Sequence, residues 1–186
     1  QLDTTRIYIG MMDGLGWLQL QDNEWKFVER LDFKAAAYRI VEDATGRIWA
    51  STIKDGVFSI DFDPQSDLHT IQQYRKDHGL PSGIVVANNI EDEAVFLAYD
   101  GSWLVKPEVS SETVSFAPHP VFTGLPDHMA KKIRTFAEDE EGRLWLFNGD
   151  QSSLATRQED GTYTYQPTTL RLSGEKSAYA MLSESS

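Results

Sequence analysis

Ile40-Val41-Glu42-Asp43-Ala44-Thr45-Gly46-Arg47-Ile48-Trp49 recurs as Thr135-Phe136-Ala137-Glu138-Asp139-Glu140-Glu141-Gly142-Arg143-Leu144-Trp145, read with one extra turn residue and with 96 residues from Trp49 to Trp145. Between them, Ala87-Asn88-Asn89-Ile90-Glu91-Asp92-Glu93-Ala94-Val95-Phe96 repeats the pattern with a shorter turn and Phe for Trp, which gives steps of 47 and 49. A second signature precedes two of these units: Gly79-Leu80-Pro81-Ser82 and Gly124-Leu125-Pro126-Asp127. A period of roughly 40 to 50 residues confines a chain to propellers or solenoids, because each unit buries its apolar face only against a neighbour.

Local patterning favours the propeller. Tyr38 to Glu42 reads as a strand, Asp43-Ala44-Thr45-Gly46 as a turn and Arg47 to Thr52 as a second strand. Lys54-Asp55-Gly56 is a further turn, Val57 to Asp61 a third strand and Leu68 to Tyr74 a fourth. Period-two alternation with glycine and aspartate punctuation carries this reading, and helical periodicity is absent. The expected fold is all-β, a β-propeller fragment of about four four-stranded blades with open ends. Its expected parts are a partial blade at 1–37, blades at 38–83, 84–130 and 131–177, and the first strand of a next blade at 178–186. Open sheet edges solicit partners, so self-association through them, or membership of a longer or dimeric receptor, is expected.

The charge balance narrows the partners. Seventeen Lys+Arg against 29 Asp+Glu give a formal charge of −12, which repels nucleic-acid backbones and anionic lipid surfaces. No stretch approaches the ~18 apolar residues that cross a bilayer, so no membrane contact by this segment is expected. The absence of cysteine excludes disulfides and thiolate chemistry without fixing a compartment.

Taken together, Gly-Leu-Pro, a strand, Glu-Asp, a glycine turn and an aromatic strand resemble the two-component regulator propeller repeat. The clearest matches are 79 to 99 and 124 to 147, and 38 to 61 holds the most complete Glu-Asp-x-x-Gly-Arg-Ile-Trp-Ala-Ser-Thr segment. The unit at 84 to 106 departs by lacking the turn glycine and the Trp, and the last unit has Asn148-Gly149-Asp150-Gln151 where Gly-Leu is expected. The resemblance implies a periplasmic sensor region of a hybrid histidine kinase, often one responding to carbohydrate, and sometimes of a diguanylate cyclase. A propeller polysaccharide lyase or glycosidase is the enzymatic alternative. The transmitter chemistry would lie elsewhere in the parent protein, so this segment is expected not to be an enzyme.

The chemistry-bearing residues have structural explanations. Tyr8, Trp49, Phe96 and Trp145 occupy one repeat position and are expected to wedge between blades. Glu42-Asp43, Glu91-Asp92 and Glu138-Asp139 could serve acid–base work, yet they recur at a hairpin, where turn chemistry explains them. His69, His78, His119 and His128 lack metal-ligand spacing, and Asp61-Phe62-Asp63 with Asp67 lacks the glycine and closing glutamate of a calcium loop. No nucleotide fingerprint or nucleophile elbow occurs. No metal and no cofactor are therefore expected. For a ligand such as an oligosaccharide, the loops joining second to third strands and blade to blade share one face. On it are expected Lys54, Asp55, Asp77, His78, Tyr99, Asp100, Asp127, His128, Asn148 and Asp150.

Overall fold

The computed structural model describes residues 5–66, 68–110, 113–129, 131–149 and 151–168. Fifteen strands form four sheets among these residues. The first holds β1 (Arg6–Met11), β2 (Gly14–Gln21) and β3 (Glu24–Asp32). The second holds β4 (Ala37–Glu42), β5 (Ile48–Thr52), β6 (Val57–Asp63) and β7 (Leu68–Tyr74). The third holds β8 (Val85–Ile90), β9 (Glu93–Ala98), β10 (Leu104–Val109) and β11 (Val114–Pro118), and the fourth β12 (Thr135–Glu138), β13 (Leu144–Asn148), β14 (Gln151–Arg157) and β15 (Tyr163–Thr168). Each sheet runs in chain order, as a propeller blade does. The chain is an all-β propeller fragment of about four blades. Its first sheet has three described strands rather than four, and the strand expected at 178–186 lies outside the described residues.

Among the described residues, helix is confined to the connections: one turn of α-helix, α1 (Pro120–Thr123), and 3-10 turns at Lys76–His78 and Asp127–Met129. The chain divides into two compact units. One runs through Phe96 and includes Lys106–Ala117; the other comprises Leu97–Val105 and the chain from Pro118 onward.

In the first unit, alternation along a strand feeds two different layers. Ile48 and Ala50 of β5, with Phe58 and Ile60 of β6, pack against Leu15, Trp17, Leu31 and Ala35. Trp49, on the opposite face of β5, lies 5.6 Å from Phe96, 5.8 Å from Tyr74 and 6.0 Å from Phe116, ring centre to ring centre. All five β5 residues are buried, because a blade between two neighbours has no solvent face. Polar stitching joins adjacent sheets: Ala87 N–H donates to Ser51 Oγ at 3.2 Å, and Asn89 Nδ2 to the Glu42 carbonyl at 2.8 Å.

The hairpin turns explain the repeat and its departures. Gly46 and Gly142 sit at φ 84° and 72°, and their N–H groups close the turns onto the carbonyls of Asp43 and Asp139 at 2.9 Å. Both turns have four residues, so the second copy carries no extra turn residue: aspartate and tryptophan are six apart in each. The shorter turn between β8 and β9 is Glu91-Asp92, with φ 49° and 61°. Two consecutive left-handed residues are the signature of a type I′ hairpin, so the missing glycine reflects another turn class and not a broken blade.

Candidate functional site

Two of the repeat carboxylates, Asp43 and Asp139, are engaged by their own turns. Asp43 accepts from the Trp49 indole at 2.7 Å, the Thr45 N–H at 2.9 Å and the Arg47 N–H at 3.3 Å. Asp139 accepts from the Trp145 indole at 3.0 Å and from the Arg143 N–H and Nε, both at 2.9 Å. Burial alone would raise the Asp139 carboxyl. The bonds from the Arg143 side chain and backbone and from the Trp145 indole outweigh it and hold the group down at about 2. A carboxylate so stabilised is a poor proton carrier near neutrality. Elsewhere in the blade, Asp61 pairs with Arg47 at 2.7 Å and Asp63 caps Gln65 and Ser66, while Asp67 lies outside the described residues.

Two of the four repeat aromatics, Trp49 and Phe96, are fully buried; Tyr8 and Trp145 are only partly so. The Tyr8 hydroxyl is 3.1 Å from His69 Nε2, whose ring lies 5.3 Å from that of Trp17 and whose Nδ1 lies 3.6 Å from Glu29. His119 is also buried and caps α1 by accepting the Val121 N–H at 3.2 Å. Both histidines thus have structural roles.

The expected ligand-face residues fall into one group in each unit. In the first, Lys54 and Asp55 occupy the turn after β5, and Asp77 and His78 the 3-10 turn after β7. Arg75 reaches Asp55 at 3.4 Å, and His78 Nδ1 lies 3.0 Å from Asp77 and 3.2 Å from the Arg75 N–H. Lys54 is exposed. Beside His78, an open groove of about 340 Å³ is lined by Gln72, Gln73, Tyr74, His78, Thr113 and Val114. The strand residues of this groove were not marked by any motif.

In the second unit, Tyr99 and Asp100 lie in the turn after β9, Asp127 and His128 in the second 3-10 turn, and Asn148 at the end of β13. Asp150 lies outside the described residues. His128 Nε2 is 2.7 Å from Ser153 Oγ, a serine with no solvent exposure, and Asn148 Nδ2 donates to the Met129 carbonyl at 2.5 Å. Those two residues therefore brace the loops, whereas Tyr99 and Asp100 are exposed. The structure also brings to this region Trp103, stacked on Phe122, and the basic pair Lys132 and Arg134, which feel Asp100 electrostatically. The run Lys131-Lys132-Ile133-Arg134, dense in base for an acidic chain, was the signal in the sequence that could have found them.

Comparison with known proteins gives a likeness in fold. The chain is similar to the extracellular domain of a proposed hybrid two-component system from B. thetaiotaomicron. The TM-score is 0.55 at 16% identity, over 92% of this chain and 26% of that one. At this identity the likeness establishes the fold, and this chain spans about a quarter of the length of the domain it matches. No protein-family profile matches the sequence, and no curated protein matches it. Among the described residues no helix is long and apolar enough to cross a membrane.

Proposed function

We propose that this chain is part of the periplasmic sensing region of a bacterial signal-transduction receptor, a two-component hybrid histidine kinase, built from two-component regulator propeller repeats. The observation that carries the reading is the pairing of the Asp-x-x-Gly-Arg-x-Trp turns with a propeller fold like that of the extracellular domain named above. The segment acts as a binding module, with its loops receiving an oligosaccharide and its blades passing the bound state on. Such coupling requires that the ligand bind two receptor states with different affinity. A sensor of a diguanylate cyclase would use the same module with another output.

An enzymatic reading is less favoured by the side chains present. The recurring aspartates Asp43 and Asp139 are engaged in turns, and the serine of the His128–Ser153 pair is buried. A glycosidase or lyase needs carboxylates or a base facing a cleft.

Sequencing the gene on both sides of this segment tests the proposal. The expected result is further repeats, then one apolar stretch of about 20 residues and a kinase or cyclase domain downstream. A stop codon soon after residue 186, with no membrane segment on either side, would overturn it.

A further inference from the structure

In a chain with 29 acidic and 17 basic residues, Lys131, Lys132 and Arg134 place three bases within four positions, all exposed. The fold ties this segment to an aromatic loop. The Ile133 N–H donates to the Gly101 carbonyl at 2.9 Å, and a Cβ on Gly101 would stand 2.3 Å from the Ile133 carbonyl oxygen. With φ at 76°, only glycine lets the two backbones meet so closely. Residues 99–103 are therefore held against residues 132–134.

The loop is bonded within itself. Asp100 Oδ1 accepts from the Ser102 N–H at 2.9 Å and the Ser102 hydroxyl at 2.5 Å. Those bonds first, and then the charges of Lys132 and Arg134, favour its ionised form, and the backbone bond from Ile133 to Gly101 sets the two bases on either side of the residue that meets the loop. Trp103 stacks on Phe122 with ring centres 5.8 Å apart and planes 23° from parallel, yet remains 49% exposed. Tyr99, in the same loop, is 61% exposed. A tryptophan held by a second ring while half open to water is an aromatic platform whose ordering cost is met before any ligand arrives.

We propose that this cluster binds an acidic saccharide, whose ring stacks on Trp103 while Lys132 and Arg134 take its carboxylate or sulfate. Asp100 accepts a sugar hydroxyl. The apolar ring contact and the charge contact are separate requirements, so the site discriminates against neutral sugars and against simple inorganic anions. The inference rests on the reading that these loops receive the ligand of the sensor.

The test is calorimetric titration of the 186-residue chain with galacturonate and glucuronate-containing tetrasaccharides and with their methyl-esterified, uncharged forms. The acidic forms are expected to bind, and esterification or the pair Lys132→Gln with Arg134→Gln should each weaken binding by about tenfold or more. Added salt should weaken the acidic forms and leave the esters unchanged. Trp103→Ala is expected to abolish binding; if that variant fails to fold, the double charge variant, altered only at exposed positions, still decides. Equal affinity for acid and ester, no binding by either acidic tetrasaccharide, or wild-type affinity in the charge variant would overturn the inference. Because the assay contains no output domain, these failures leave the receptor reading standing, and a missing kinase or cyclase domain would overturn that reading without touching the binding result.

Discussion

Trp49 shows how one side chain can serve both the local turn and the core. Its ring is fully buried among Tyr74, Phe96 and Phe116, and its indole N–H is bonded to Asp43. Truncation to alanine should cost about 3 to 5 kcal/mol, measured by urea denaturation, since it removes a large buried ring and leaves a cavity. Asp43→Ala should cost about 1 to 3 kcal/mol, because it leaves the buried indole N–H and the turn donors without an acceptor. At Asp139 the effect depends on pH. The folded carboxyl titrates at about 2, against ~3.9 for an unfolded aspartate. A depressed folded value means that its stabilisation is complete above about pH 4 and is lost as the pH falls toward 2. Between pH 5 and 2.5 the wild-type chain should therefore lose more unfolding free energy than Asp139→Asn. Equal slopes would refute this assignment.

Among the elements, the β8–β9 hairpin is the one whose sequence least suits its conformation. Glu91 and Asp92 both occupy left-handed backbone, a conformation costly for residues with a Cβ and easily met by Asn-Gly. Glu91→Asn with Asp92→Gly should stabilise the chain by about 1 kcal/mol, or roughly 2 to 4 °C in melting temperature. The Ala44 N–H bond to the Asp92 carbonyl uses backbone alone and survives the change. The repeat pattern makes this hairpin visible, but the absence of a glycine does not reveal its turn class. Turn class follows from how many residues lie between the paired strands, which β8 and β9 reveal only once their ends are known.

At the scale of the whole molecule, the first sheet carries an apolar face that is uncovered among the described residues. Ile7, Leu18 and Phe27 are paired across β1, β2 and β3 as Ile48, Ile60 and Ile71 are across β5, β6 and β7. Ile48 and Ile60 are 3% and 1% exposed, whereas Ile7 and Phe27 are 42% and 57% exposed, with Trp25 nearby on β3 at 42%. A face that another blade covers elsewhere in the chain is a site of association when it meets only water. Sedimentation velocity should show concentration-dependent self-association of the 186-residue chain. Trp25→Glu with Phe27→Glu should suppress it while changing stability by less than ~1 kcal/mol, since both residues are exposed. A wild-type chain that stays monomeric at high concentration would refute this expectation. This face is a second candidate surface for association beside the strand edges that the sequence suggests.

What the sequence determined by itself is what short-range chemistry controls. Strand alternation, the four-residue Asp-x-x-Gly turns and the bond from aspartate to the tryptophan six residues on need no distant partner, so the all-β blade order was legible from residues alone. The tertiary structure decided which copies of a repeated residue are buried: Trp49 is sealed among aromatics of other strands, while Trp145, in the same local turn, is only partly covered. It also decided the candidate site. Trp103 meets Phe122, and Gly101 meets Ile133, through contacts between segments roughly 20 to 30 residues apart, and no periodicity of two encodes which loops a folded blade brings together.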